Sequence, residues 1–148
     1  MYVVVGFLLL RMFFFFKFMY ALKGLLEDWS ASEQMVALLF PMWTRFFAVM
    51  MVLVVIACAF SALLGFYGQI GGLLTFLFCL LGMRLHMILK GQAASIQCAA
   101  DDQACQQLKT LAVLGQSACA QKNTVIAGVG LFFLFAGTGP YSLTPNLF

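Results

Sequence analysis

FFAVMMVLVVIACAFSALLGF, residues 46–66, runs for 21 residues without a charge. At about 1.5 Å rise per residue, one helix of that length covers the roughly 30 Å hydrocarbon core of a bilayer. The rest of the chain agrees. Of its 148 residues, 64% are hydrophobic, 9% are charged and 17 are Phe, whereas a soluble domain is about half apolar and a quarter charged. We therefore expect an all-α integral membrane protein, a single transmembrane domain over residues 1–148.

Working outward, a second span reads over 70–89, IGGLLTFLFCLLGMRLHMIL, with Arg84 and His86 only in its last two turns, where long polar side chains reach the interface. The intervening YGQIGG suits a tight reversal. TVIAGVGLFFLFAGTG, from residue 124, continues to Tyr141 as a further span of 124–141, and Tyr141 is placed as an aromatic anchor at the interface.

The first segment allows two registers. A helix from Tyr2 to Leu22 puts Arg11 at the bilayer centre, at a cost of about 2.5 to 3.5 kcal/mol. A helix over about 11–26, the favoured register, puts Arg11 at one surface and Lys23, Glu27 and Asp28 at the other; the first register is kept as an extension back to residue 2. Lys17 then lies at mid-depth among Phe13, Phe14, Phe15 and Phe16, which at about 100° per residue cover every side of the helix. No span holds an Asp or Glu at that depth, so Lys17 is expected to meet backbone or another polypeptide, with a lipid or cofactor headgroup as the second reading and an ion path as the third. Arg11 and Lys17 are thus the candidate partner or lipid contacts.

The expected fold is a four-helix membrane bundle with both termini on one side and loops at about 27–45, 67–69 and 90–123. Ala57, Ser61 and Gly65 recur every fourth residue and form a small-residue stripe suited to close helix packing.

Residues 91–123, GQAASIQCAADDQACQQLKTLAVLGQSACAQKN, read as an extramembrane helical insert, continuous or turning near Gly115. Cys98, Cys105 and Cys119 are spaced by 7 and 14 and would share one face of a continuous helix. Cysteines seven apart on a straight helix lie about 10 Å apart, beyond the roughly 7 Å that a disulfide allows. A bridge from Cys98 or Cys105 to Cys119 requires the insert to fold back; the alternative is three small apolar residues on a buried face. Three cysteines without a CxxC do not make a tetrahedral zinc site, so no metal is expected. Topology is contested: Lys23, Arg45, Arg84, Lys90, Lys109 and Lys122 favour loops 1 and 3 on the cytoplasmic, matrix or stromal side, while a disulfide favours the opposite, oxidising side. The balance before a bridge is known goes to the positive-inside side.

Several residues resemble the DoxX-like family: Arg11 followed by an aromatic and aliphatic run and Lys23, Pro41 ahead of the second span, GFYGQIGGLL between the second and third, and GTGPYSLT at 137–144. Members are small four-helix membrane proteins whose last span commonly closes with a Gly-x-Gly-Arg-Tyr-Ser-Leu-Asp motif. Gly137, Gly139, Tyr141, Ser142 and Leu143 match it; Pro140 and Thr144 replace its Arg and Asp, and residues 93–123 have no counterpart. The resemblance covers most of 11–92 and 124–144. It implies the architecture and a redox neighbourhood of quinol, thiol and sulfur systems, with no defined catalytic centre.

The net charge of +3 is dispersed, which excludes a nucleic-acid face. Nothing at the start reads as a cleavable signal, because the first charge follows an apolar decad. No paired carboxylates, catalytic triad or phosphate-binding Gly loop can be assembled. Cys58 and Cys79 read as small hydrophobes within spans. His86, with Arg84 beside it on another side of the helix, is either an interfacial histidine or a contact to haem, chlorophyll or a quinone. The expected role is a non-catalytic accessory subunit of a respiratory or photosynthetic complex, in an organelle inner, thylakoid or bacterial inner membrane. Its partners are other membrane subunits and lipid, and pigment or quinone is expected at the periphery. A DoxX-like redox partner for a quinone or thiol system is the second reading. A small transporter is the third, disfavoured by the scarcity of intramembrane polar residues.

Overall fold

The computed structural model describes residues 2–139, 142 and 143. Pro140, Tyr141 and Thr144 of the closing motif, and with them the aromatic anchor, lie outside the described residues. Five helices follow one another: α1 (Tyr2–Glu27), α2 (Trp29–Ala37), α3 (Thr44–Leu64), α4 (Gly68–Ser95) and α5 (Gln103–Ala136). Four of them, α1, α3, α4 and α5, are long and apolar enough to cross a membrane, and the protein is an integral membrane protein. Among the described residues there is no strand.

The core forms where apolar faces of α1, α3 and α5 meet. Phe14, Phe18 and Leu22 of α1 pack with Val55, Cys58, Ala59 and Ala62 of α3 and with Phe133 of α5. The Phe14 and Phe133 rings meet edge to face, centroids 5.5 Å apart, the geometry that sets one ring's positive edge against the other's negative face. Phe13 and Phe16 point outward. The Phe run therefore supplies both the core and the outer surface of one helix.

The α4 and α5 backbones approach closely. A Cβ on Gly72 would lie 2.6 Å from the Gly130 carbonyl oxygen, and one on Gly130 would lie 2.9 Å from the Gly72 carbonyl oxygen. Two glycines facing each other let the backbones touch, as in close-packed membrane helix pairs. The stripe expected at Ala57, Ser61 and Gly65 is corrected in part. Gly65 of the stripe is buried but Ala57 is exposed; Cys58, Ala59 and Ala62 supply the face that α3 turns toward α1, one position removed from Ala57 and Ser61. Ser61 abuts Gly71 and donates to the carbonyls of Phe66 (2.7 Å) and Tyr67 (3.3 Å). The reversal at 65–67 is tight as expected, with Gly65 (φ 64°) and Tyr67 (φ 46°) both left-handed.

Two elements differ from the sequence reading. The expected loop 27–45 contains α2, started by Asp28, whose carboxylate accepts from the Ala31 N–H at 2.9 Å, the usual N-cap arrangement. Ser32 of α2 is buried and donates to the Leu25 carbonyl, which ties α2 to the end of α1. The insert is not a separate unit either: α4 runs on to Ser95 and α5 begins at Gln103, so the turn falls at residues 96–102, where Asp102 caps α5 through the Cys105 N–H. Gly115 lies within α5. A glycine inside a helix weakens it without ending it when no left-handed residue or capping group follows.

Candidate functional site

Arg11 is buried, 3% exposed, and lies mid-helix in α1, which extends back to Tyr2. Its guanidinium donates through Nε to the carbonyls of Ala62 (2.9 Å) and Leu63 (3.1 Å) at the end of α3, and through Nη2 to Leu63. The last carbonyls of a helix lack intrahelical donors and carry the negative end of its dipole, so a fixed cation with a planar donor fork satisfies both needs. The next carbonyl, Leu64, accepts from the Leu143 N–H at 3.2 Å. The described part of the closing motif folds over the same point: Thr138 is buried and shares a 2.8 Å hydrogen bond with Ser142, which sits against Gly65. Arg11, expected at a membrane surface as an outward contact, thus holds the protein's own α3 terminus.

Lys17 lies six residues further along α1, about 9 Å of rise, and faces inward at the edge of a cavity of about 440 Å³. All five helices contribute to its wall. The lining from α2 and α3 is wholly apolar and includes Met35, Met50 and Met51; Lys17 comes from α1, His86 from α4, and Lys122 and Asn123 from α5, each among apolar residues. No Asp or Glu lines it. Neither Lys17 nor Lys122 forms an ion pair or hydrogen bond among the described residues; the salt bridges there are Lys23 with Glu27 and Arg45 with Glu33.

His86 is held by its neighbour on α5: Nδ1 lies 2.7 Å from Gln116 Oε1. An amide oxygen only accepts, so in this pairing Nδ1–H is the donor. Arg84 is exposed and does not line the cavity. The two residues are not brought together around one ligand.

Cys98 and Cys105 form a disulfide, Cα atoms 5.8 Å apart, and Cys119 is a free thiol. The expected pairing with Cys119 is corrected. The straight-helix separation does not apply, because Cys98 lies in the non-helical 96–102 link and the chain doubles back before Cys105. Cys58 and Cys79 are buried free thiols.

Sequence reading missed Lys122, Asn123 and Gln116 as site residues. Each was assigned to the insert because the last span was begun at Thr124; the signal was the absence of any proline between Gln103 and Thr124. Among the described residues no group of three or more His, Cys, Asp or Glu gathers for a metal. No family model, curated protein or solved structure matches the chain.

Proposed function

We propose that this protein is a non-catalytic membrane subunit that holds a lipophilic molecule inside its bundle, as an accessory part of an electron-transport assembly. The cavity carries this reading: about 440 Å³, five-helix walls, and a few polar groups among mostly apolar lining. That combination is typical of small-molecule sites, where apolar walls supply burial and a few polar groups fix orientation. The resemblance to DoxX-like proteins supplies the redox neighbourhood, in a respiratory, thylakoid or bacterial inner membrane.

The lengths of α4 and α5, 28 and 34 residues or about 42 and 51 Å, exceed a hydrocarbon core. Their joined ends therefore project from the membrane as a helical hairpin with the Cys98–Cys105 bridge at its tip. A bridge there supports placing the tip on an oxidising side, against the positive-inside count. It also favours a second reading, a redox partner for a quinone or thiol system, in which the tip cysteines exchange electrons.

Mild extraction of the native membrane, native electrophoresis with haem and pigment spectra, and mass spectrometry of the band's proteins and lipids test the proposal. Comigration with a larger assembly and a stoichiometric lipophilic molecule, lost when Met51→Trp fills the cavity, is the expected result. Migration alone with no such molecule overturns it.

A further inference from the structure

We propose that the molecule held in the cavity is an amphipathic oxyanion, a long apolar chain ending in a carboxylate or phosphate, bound between Lys17 and Lys122. This rests on the reading of the cavity as a ligand site and goes beyond it by naming the head group. The first observation is charge. Two cations line one largely apolar space with no carboxylate on its wall and no ion-pair partner among the described residues. Neither lysine is fully buried, but like charges beside an apolar wall repel more than in water, and a half-buried cation such as Lys17 is better stabilised when paired. An anion between them removes the repulsion and supplies the partner.

The second observation is depth. Arg11 marks the level of the α3 terminus, and Lys17 lies about 9 Å further along α1. Lys122 is 14 residues from the Ala136 end of α5, about 21 Å of rise. Lys17 is half-buried and Lys122 exposed, and both line the cavity, so the head group sits at the cavity's open edge with its chain directed inward.

The third observation is the apolar lining. Met35, Met50 and Met51 with Phe40 and Phe47 offer an apolar surface without a polar atom suited to a head group. Unbranched thioether side chains adapt to chains of varied shape. His86 Nδ1 is engaged with Gln116, so the lysines answer the anion's charge. Asn123, also in the lining, adds an amide donor.

The full chain in a nonionic detergent such as dodecyl maltoside would be titrated with a fluorescent long-chain probe and competed with oleate, oleoyl lysophosphatidate, oleyl alcohol and decylubiquinone. Oleate or lysophosphatidate is expected to compete at least tenfold better than the alcohol, and whichever is stronger identifies the head as carboxylate or phosphate. The Lys17→Met, Lys122→Met double variant is expected to lose that preference while still binding the alcohol, and Lys17→Arg, Lys122→Arg to retain it. Equal competition by oleate and oleyl alcohol, stronger binding of the quinone, or an anion preference that survives the double Met variant overturns the proposal and leaves the cavity's role as a site intact. Failure of every amphipath to bind overturns both.

Discussion

Arg11 and Leu63 are joined by a guanidinium–carbonyl pairing in which the middle of α1 caps the end of α3. A charged residue inside an apolar helix is thereby turned into a structural joint. Arg11→Met leaves the Ala62 and Leu63 carbonyls without their donor, and hydrogen bonds to charged groups contribute about 1.5 to 3 kcal/mol each. The unfolding free energy in mixed dodecyl maltoside and sodium dodecyl sulfate is expected to fall by an amount in that range, with a lower midpoint. Arg11→Lys, which keeps the charge without the fork, is expected to recover only part of it. An unchanged midpoint for Arg11→Met would show that the joint carries no stability.

Gly72 and Gly130 let the α4 and α5 backbones touch. The atoms that a Gly72→Ala methyl would strike belong to backbone, which cannot rotate away, so overpacking of about 1 to 3 kcal/mol is expected. Gly128→Ala, on the same helix pair but with nothing within 4 Å, serves as the control and is expected to leave stability unchanged or slightly raised. Thermal unfolding of the two variants side by side separates close packing from helix propensity. Equal effects would remove the packing argument.

Three of the five cysteines are free in this structure. Denatured protein is expected to take three maleimide labels before reduction and five after it. Cys119→Ser should lower both counts by one and leave the bridge in place; release of two further thiols in that variant would instead assign Cys119 to the pair. Reduction is expected to cost about 2 kcal/mol, the loop-closure contribution of so short a loop. A membrane-impermeant maleimide applied after reduction reports which side the tip occupies.

Asp28 starts α2, and α2 covers one side of the cavity through Met35 and Val36. Loss of such an N-cap costs about 1 kcal/mol, so Asp28→Ala is expected to speed hydrogen exchange across residues 29–37 and to weaken retention of the bound molecule. α1 and α3 should keep their protection. Exchange that rises across the whole bundle would instead make α2 part of the common core.

The span at 46–66 was legible because 21 uncharged residues admit one membrane solution, and its helix, α3, lies within two residues of that stretch. The α3–α4 reversal was expected at 67–69 and falls at 65–67, because the Gly-rich stretch read as the turn opens α4, where Gly71 and Gly72 pack against Ser61 and Gly130. α2 was missed although Asp28 and the run that follows carry an N-cap signal. The ends of α4 and α5 were misplaced because hydropathy locates the membrane-crossing part of a helix and is silent about how far the helix continues into water.

Local chemistry along the chain determined the class: apolar length against bilayer thickness settled that this is a helical membrane protein, and the lone charges Arg11 and Lys17 marked the places that needed an explanation. Which explanation applied was decided only by the tertiary structure, because an arginine's partner and a lysine's surroundings are set by helices distant in sequence. Arg11 meets carbonyls 51 and 52 residues away, and Lys17 shares a cavity with Lys122. The disulfide partner was decided in the same way, by where the chain turns and not by the spacing of its cysteines, since a break of a few residues in a helix changes a distance that periodicity treats as constant.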